Sequence, residues 1–276
     1  MSITLFSYNN RYHKLVEFSI NKSLGTNTFN KIVVASDRKI EISNTYTHIN
    51  IDERFNLKDY CNFCIKELNS HIDTDFVLVV QQDGFACKSI YWDDKFYDYD
   101  YIGAPFHIDQ HYLKRPKSLL NLKNKNRFWV AGNGGFSLRS KKLLEILQKD
   151  NKINLQGNSN QVDWVSEDVL ICHYYRDYLK EKYKIRFAPL KYCLNFSMES
   201  LNTEGLSYGF HGYSNIPYLL TQAECLQYYR LMLEYDIRLY HDQFYLLNYY
   251  TKVRNCHDDY SEFLDLIEGQ PCLVKA

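Results

Sequence analysis

Residues 77–85 read VLVVQQDGF, an apolar strand-forming run that ends on two amides, a carboxylate and a glycine. Alternate side chains of an extended chain share a face, so Gln81 and Asp83 present two oxygen donors on one side. Hard divalent cations take such oxygens and are often held by one or two carboxylates plus substrate phosphates. Gly84 lets the backbone turn sharply just beyond. The competing reading is a strand-ending turn in which Asp83 caps a loop, and the pattern alone leaves both open.

Other stretches carry comparable chemistry. WVAGNGGFSLRS holds Gly132, Asn133, Gly134 and Gly135 between two apolar runs. Such a turn marks close backbone approach to a ligand or another strand, or simply a tight turn. It lacks the GxGxxG order of a dinucleotide cradle. In WVSED, Glu167 and Asp168 open a helix, where the dipole favours carboxylates; a carboxylate there that faces a cleft is also a candidate general base. Trp164 beside them offers a flat ring for sugar stacking. YGFHGY sets His211 among glycines and aromatics. His107 and His111 have metal-like i, i+4 spacing only on a helix, and the surroundings of Pro105 read as a loop. Cys61 and Cys64 form a CxxC without the second pair that a zinc site takes.

The elements that must position these residues follow from hydrophobic periodicity. ITLFSY (3–8) and KIVVAS (31–36) read as strands, with a helix over 11–24 between them, and THINID (47–52) is a weaker third strand. Residues 57–72 place Leu57, Tyr60, Cys61, Cys64 and Leu68 at helical spacing before FVLVV begins. Strand–helix–strand alternation predicts a largely parallel sheet with helices on its faces. VLVV, apolar on both faces, fits a central strand. Residues 128–147 read as strand, glycine turn, strand FSL and a helix opening at Ser140. A further helix surrounds SEDVLICHYYRDYLKE, RFAP (186–189) and FSMES (196–200) are short strands or connectors, and residues from Ile216 to about Gly269 are helical in pattern. Ligands of open parallel sheets bind outside the carboxyl ends of the strands, where Asp83 falls.

Composition narrows the function classes. The chain has 276 residues, which predicts one large domain or a domain with an appendage. Its hydrophobic share of 45% is enough for a sizeable core and argues against disorder. Lys+Arg 33 cancels Asp+Glu 33 with no basic stripe, which argues against nucleic-acid binding. The N-terminal MSITLFSYNNRYHK does not read as a signal peptide, and no uncharged run approaches the roughly 18 residues of a membrane span. Eight cysteines scattered through apolar segments read as reduced, mostly buried thiols, so a cytoplasmic location is expected. The 25 tyrosines and 16 phenylalanines suit clefts and contact surfaces lined by rings.

Taken in order, VLVVQQDGF, YDYIGAPF, VAGNGGFSLRS, SEDV and YGFHG resemble the DUF5672 group of glycosyltransferase-like domains, related to nucleotide-sugar transferases of the GT-A fold. The resemblance covers about residues 1–213. It implies an α/β GT-A (Rossmann-like) fold, a mostly parallel central sheet flanked by helices, with a glycosyltransferase domain over 1–215 and a C-terminal helical extension over 216–276. By this resemblance Asp83 matches the second acid of the DxD motif, which holds a divalent cation, Mn2+ or Mg2+, against the donor diphosphate. Gln81 stands where the first acid is expected, a departure from the family pattern, and His211 resembles a third metal ligand. Glu167 and Asp168 resemble the acidic motif that supplies the base in inverting members, with Asp168 favoured because family members place the second acid toward the acceptor. Asn133, Gly134 and Gly135, with Trp164, resemble the acceptor side. Tyr8, Asn9, Arg11, Ser36, Asp37, Gln81, Gln82 and Asp83 fall where the donor nucleotide lies.

The implied activity is metal-assisted transfer of a sugar from a nucleotide sugar, with a UDP-sugar as the working donor, to a hydroxyl of a glycan or glycoconjugate. Two alternatives stand beside it. One is a catalytically degenerate domain that binds nucleotide sugars or glycans, for which Gln81 is the best argument. The other is a nucleotidyltransferase, which would carry a glycine-rich signature after the first strand that SYNNRYHK lacks. The tyrosine-rich tail suggests homodimerisation through the C-terminal helices, or helices that cover one sheet face.

Overall fold

Three parallel strands form the centre because their side chains are apolar on both faces. β1 (Ile3–Tyr8), β2 (Lys31–Ser36) and β4 (Phe76–Val80) pair in parallel, with Phe6 opposite Val33 on one side and Val79 on the other. β3 (Thr47–Asn50) extends the sheet beyond β2. β9 (Ser137–Ser140) adds antiparallel to β4, and β6 (Tyr101–Gly103) antiparallel to β9, giving the order β3-β2-β1-β4-β9-β6. The architecture is mixed α/β, a six-stranded, mostly parallel sheet flanked by helices. Alternation divides each strand between the two faces: Phe6, Tyr8, Val33, Ala35, Val77 and Val79 all join one core cluster. Phe6, Val33, Val77 and Val79, all fully buried, each contribute about 1.5–3 kcal/mol.

That cluster is closed by helices read correctly as amphipathic but built less regularly than the sequence pattern suggests. α2 (Leu57–Asn62) starts in a capping box of Asn56 and Asp59, then widens into a π turn over Phe63–Glu67 and tightens into a 3₁₀ turn over Leu68–His71. Phe63, Cys64, Ile65 and Leu68 are buried, whereas Leu57, expected on the apolar face, is 59% exposed. α3 (Lys141–Lys149) is capped by Ser140, whose hydroxyl accepts the Leu143 N–H and donates to Asp100. The helix expected around residues 160–182 is two pieces among the described residues. α4 (Glu167–Val169) runs into a π turn over Leu170–Tyr174, and α5 (Arg176–Tyr183) follows after Tyr175 leaves helical geometry.

α1 (His13–Leu24) buries Leu15, Val16, Ser19, Ile20 and Ser23, and packs against β5 (Gly84–Ala86). Residues 186–189 form a single bridge, Tyr101 to Phe187, rather than a strand, and α6 (Leu190–Phe196) follows where only connectors were expected. Outside the main sheet, β7 (Pro105–His107) pairs with β8 (Trp129–Ala131), and β5 joins β10 (Ser197–Met198) and β11 (Gly209–His211) in the order β10-β11-β5. His107 thus ends a strand, without the helical backbone that i, i+4 ligation would use.

The computed structural model describes residues 1–54, 56–107, 129–155, 165–201, 203–235 and 237. The chain divides into two compact units, Met1–His211 and Gly212–Ala276. In the second, α7 (Ile216–Leu219) precedes α8 (Gln222–Glu234), which opens in a capping box of Thr221 and Glu224. His111, Trp164 and the tail beyond 237, on which the homodimer expectation rests, lie outside the described residues. No helix among the described residues is long and apolar enough to cross a membrane.

Candidate active site at the carboxyl edge of the sheet

The QQDG stretch is a turn and a set of oxygen donors at once. Gln81 and Gly84 exchange backbone hydrogen bonds of 2.8 and 3.2 Å, so Gln82 and Asp83 form the tip of a hairpin joining β4 to β5. β5 returns antiparallel to β11, with Gly84 opposite His211. Asp83 Oδ1 consequently lies 3.8 Å from His211 Nε2, and this buried oxygen accepts no hydrogen bond among the described residues. On the other side of the ring, the parallel register of β10 with β11 (Ser197 opposite Gly209, Met198 opposite Phe210) carries Glu199 to His211. Glu199 Oε1 is 3.1 Å from Nδ1. Burial disfavours a charged imidazole, but Asp83, Glu199 and Asp168 outweigh it and raise the His211 pKa to about 9.

The glycine turn is the hub that joins these groups. Asn133 adopts φ 48°, the left-handed region that asparagine tolerates better than most residues. Its Oδ1 accepts the Gly135 N–H at 2.9 Å, and its Nδ2 lies 2.5 Å from Glu199 Oε1 and 2.7 Å from His211 Nδ1. The Gly134 N–H donates to Asp168 Oδ2 at 3.1 Å. A Cβ at Gly134 would sit 2.0 Å from Glu167 Oε1, and one at Gly135 would sit 2.4 Å from His211 Nε2 and 2.5 Å from Gln81 Oε1. Both glycines are therefore required by side chains of the protein itself that press against the turn.

The two adjacent acids have separate environments. Glu167 is 2% exposed and forms an ion pair of 2.8 Å with Arg139, which is fully buried. Tyr60 and Cys61 also point hydrogens at its oxygens, each at 3.4 Å, and Arg139 donates to Gly134 O and Ser137 Oγ. Burial and the neighbouring Asp168 push the Glu167 pKa up, while the ion pair with Arg139 opposes that shift. Asp168 is half-buried, held by the Gly134 N–H and by its neighbour Val169 N–H at 2.7 Å.

A cleft of about 420 Å³ opens beside the hairpin, at the carboxyl ends of β1 and β4. Its lining includes Tyr8, Asn9, Arg11, Gln81 and Gln82 among the expected donor residues, and adds Asn10, Tyr12, Arg54, Asn56, Leu57 and Tyr60. Asn9 shapes the entrance: its Oδ1 accepts the N–H groups of Arg11 at 2.9 Å and Tyr12 at 2.7 Å, an Asx turn that leaves Arg11 exposed at the cleft. Ser36, Asp37 and Asp83, expected at the same pocket, are not among its lining residues. Asp37 instead pairs with His13 Nε2 at 2.6 Å, and the Ser36 hydroxyl donates to Arg38 O.

These donors suit a cation held in an open site. Asp83 supplies an oxygen without a hydrogen bond and His211 a nitrogen facing it, while Glu199 approaches the opposite ring nitrogen. Among the described residues no group of three or more His, Cys, Asp or Glu side chains is placed to hold a metal ion. One carboxylate and one imidazole leave positions for phosphate oxygens of a substrate, which is how Mg2+ and similar ions are commonly bound. Glu199, Arg139 and Tyr60 were not singled out from the sequence. The parallel pairing that brings Glu199 to His211 spans twelve residues and a loop, and no local pattern encodes it.

A mixed α/β domain with polar residues gathered at the carboxyl edge of its sheet is the class that this geometry defines. The sequence matches the family described as "Protein of unknown function (DUF5672)" over residues 47–211, and the chain belongs to that family. Among curated proteins none matches it in sequence. Of solved structures, it is similar to the mannosyltransferase PcManGT from Pyrobaculum calidifontis in complex with GDP-Man and Mn2+. That similarity has 11% identity over 97% of this chain and 79% of the other, with a TM-score of 0.38. The galactosyltransferase LgtC in complex with donor and acceptor sugar analogs shows 12% identity over 86% of this chain and 95% of the other, TM-score 0.38. The bifunctional IspDF from Campylobacter jejuni shows 15% identity over 54% of this chain, TM-score 0.35, and the matched part spans 44% of that enzyme.

Proposed function

We propose that the protein is a glycosyltransferase of GT-A type that moves a sugar from a nucleotide sugar to a hydroxyl of a glycan or glycoconjugate. The observation that carries the reading is the pairing of an Asp83 oxygen that accepts no hydrogen bond with His211 Nε2, 3.8 Å apart, beside a cleft large enough for a nucleotide. Asp83 and His211 would hold Mn2+ or Mg2+ in this reading, and Gln81 occupies the place of the first acid of the motif without adding charge. When bound, the cation neutralises the diphosphate that leaves as the sugar is transferred.

The remaining steps fall to the chain. Tyr8, Asn9 and Gln82 line the nucleotide side of the cleft, and Arg11 offers a guanidinium to phosphate oxygens. Asp168 accepts the proton of the acceptor hydroxyl as that oxygen attacks the anomeric carbon, a single displacement with inversion. Its carboxylate is fixed by the Gly134 N–H, so the base is oriented before substrate arrives. Asn133, Gly134 and Gly135 form the wall on which base and imidazole are mounted, and acceptor contacts at this wall belong to the same proposal. The domain that carries this activity runs over 1–215 and the extension over 216–276.

A screen of nucleotide sugars for release of the nucleoside diphosphate, with and without Mn2+, tests the reading. A donor that is turned over only with the metal supports it. Metal-independent nucleotide binding without turnover of any donor would instead identify a binding domain.

A further inference from the structure

We infer that Glu199 is a positioning residue that holds the His211 imidazole with Nδ1 toward itself and Nε2 toward Asp83. The inference rests on the proposed metal site and extends it to the residue at the opposite ring nitrogen from Asp83. The two carboxylates approach different ring nitrogens: Glu199 Oε1 lies 3.1 Å from Nδ1, and Asp83 Oδ1 lies 3.8 Å from Nε2. Asn133 meets the same two groups. Its Oδ1 accepts the Gly135 N–H, so its Nδ2 is the group that meets Glu199 Oε1 at 2.5 Å and stands 2.7 Å from Nδ1. In the inferred arrangement Asn133 Nδ2–H and His211 Nδ1–H both donate to Glu199 Oε1. Nε2 is then the ring nitrogen that faces Asp83, and a cation bound there would take the place of its proton.

Both partners are mounted on rigid backbone. Glu199 directly follows β10, one step beyond the Met198–Phe210 pair, and its register with β11 fixes it beside His211. Asn133 is held at φ 48° by its own bond to Gly135. A carboxylate behind a ligating histidine fixes the tautomer and the ring plane, and its loss typically weakens metal binding by about 10- to 100-fold.

The test measures Mn2+ uptake at fixed pH, from the EPR signal of the free ion, for wild type and Glu199→Gln, each with and without UDP. Imidazole 15N shifts of the Mg2+-loaded proteins report the tautomer. We expect Mn2+ affinity to fall by about 10- to 100-fold and the single wild-type tautomer of His211 to become mixed. Unchanged affinity together with an unchanged 15N pattern would overturn the inference. Should Glu199→Gln fail to fold, Glu199→Asp withdraws the carboxylate by one methylene. It too is expected to bind Mn2+ more weakly, and undiminished binding overturns the inference. A wild-type protein that takes up no Mn2+ even with UDP would overturn the metal site itself and this inference with it, a failure distinct from an insensitive Glu199 variant.

Discussion

Replacing Glu167 by glutamine separates a structural acid from a catalytic one. The substitution keeps the shape and removes one charge of a pair whose partners are both buried, with N···O 2.8 Å. At an effective dielectric of about 20 that attraction is about 6 kcal/mol before desolvation is charged against it. Removing one partner of a buried pair typically costs about 3–5 kcal/mol, because the other charge stays behind uncompensated. Arg139 is poorly placed to recover, since its Nη1 already has no hydrogen-bond partner among the described residues. For a chain of this size 1 kcal/mol moves Tm by about 2–4 °C, so Glu167→Gln should unfold about 6–20 °C below wild type in a calorimetric scan. Asp168→Asn, made beside it, should keep its Tm and lose about 10²- to 10⁴-fold in turnover, the share of a general base. A Glu167→Gln protein that melts with wild type yet has lost turnover would refute the assignment and make Glu167 the chemical acid.

Gly135→Ala drives a Cβ to within 2.4 Å of His211 Nε2. Overpacking of this kind costs about 1–3 kcal/mol, and here it should also displace the ring and weaken Mn2+ uptake; a variant with wild-type Mn2+ affinity would show that the imbalance is absorbed elsewhere. Asp150 accepts hydrogen bonds from Tyr178 at 2.6 Å, Tyr183 at 2.7 Å and Lys182 at 3.3 Å. Burial opposes its charge, but these donors and the Lys152 N–H prevail and hold the carboxyl well below its ordinary 3.8. A depressed pKa contributes stability that is complete above 3.8 and fades as the pH falls below it. Asp150→Asn should therefore cost about 1–3 kcal/mol at neutral pH, with the gap to wild type closing in acid. Thermal unfolding at neutral and strongly acidic pH measures it, and a gap independent of pH would count against the assignment.

The main sheet was legible because its strands are both apolar and locally bounded. β1 and β2 begin and end where ITLFSY and KIVVAS do, and Ser140 caps the helix that it was expected to open. What local periodicity cannot carry is where the elements meet. Leu57 fits the apolar spacing of its helix yet lines the cleft, at the first turn of a helix whose buried face is carried by Tyr60 and Cys61. LKYCLNF is too short to show a helical period, and α6 was missed. The GNGG turn left two readings open, and close packing of Glu167, Gln81 and His211 against it accounts for Gly134 and Gly135. Glu167 and Asp168 are neighbours with the same helical context, and Arg139, 28 residues away, with Tyr60 and Cys61, separates their environments.

The central claim concerns Asp83. Wild type and Asp83→Ala should be compared, across a panel of nucleotide sugars, for release of nucleoside diphosphate with Mn2+ and with EDTA. The account predicts that wild type turns over at least one donor only with the metal, and that Asp83→Ala folds normally and loses the metal-dependent part. Full Mn2+-dependent turnover by Asp83→Ala would contradict it.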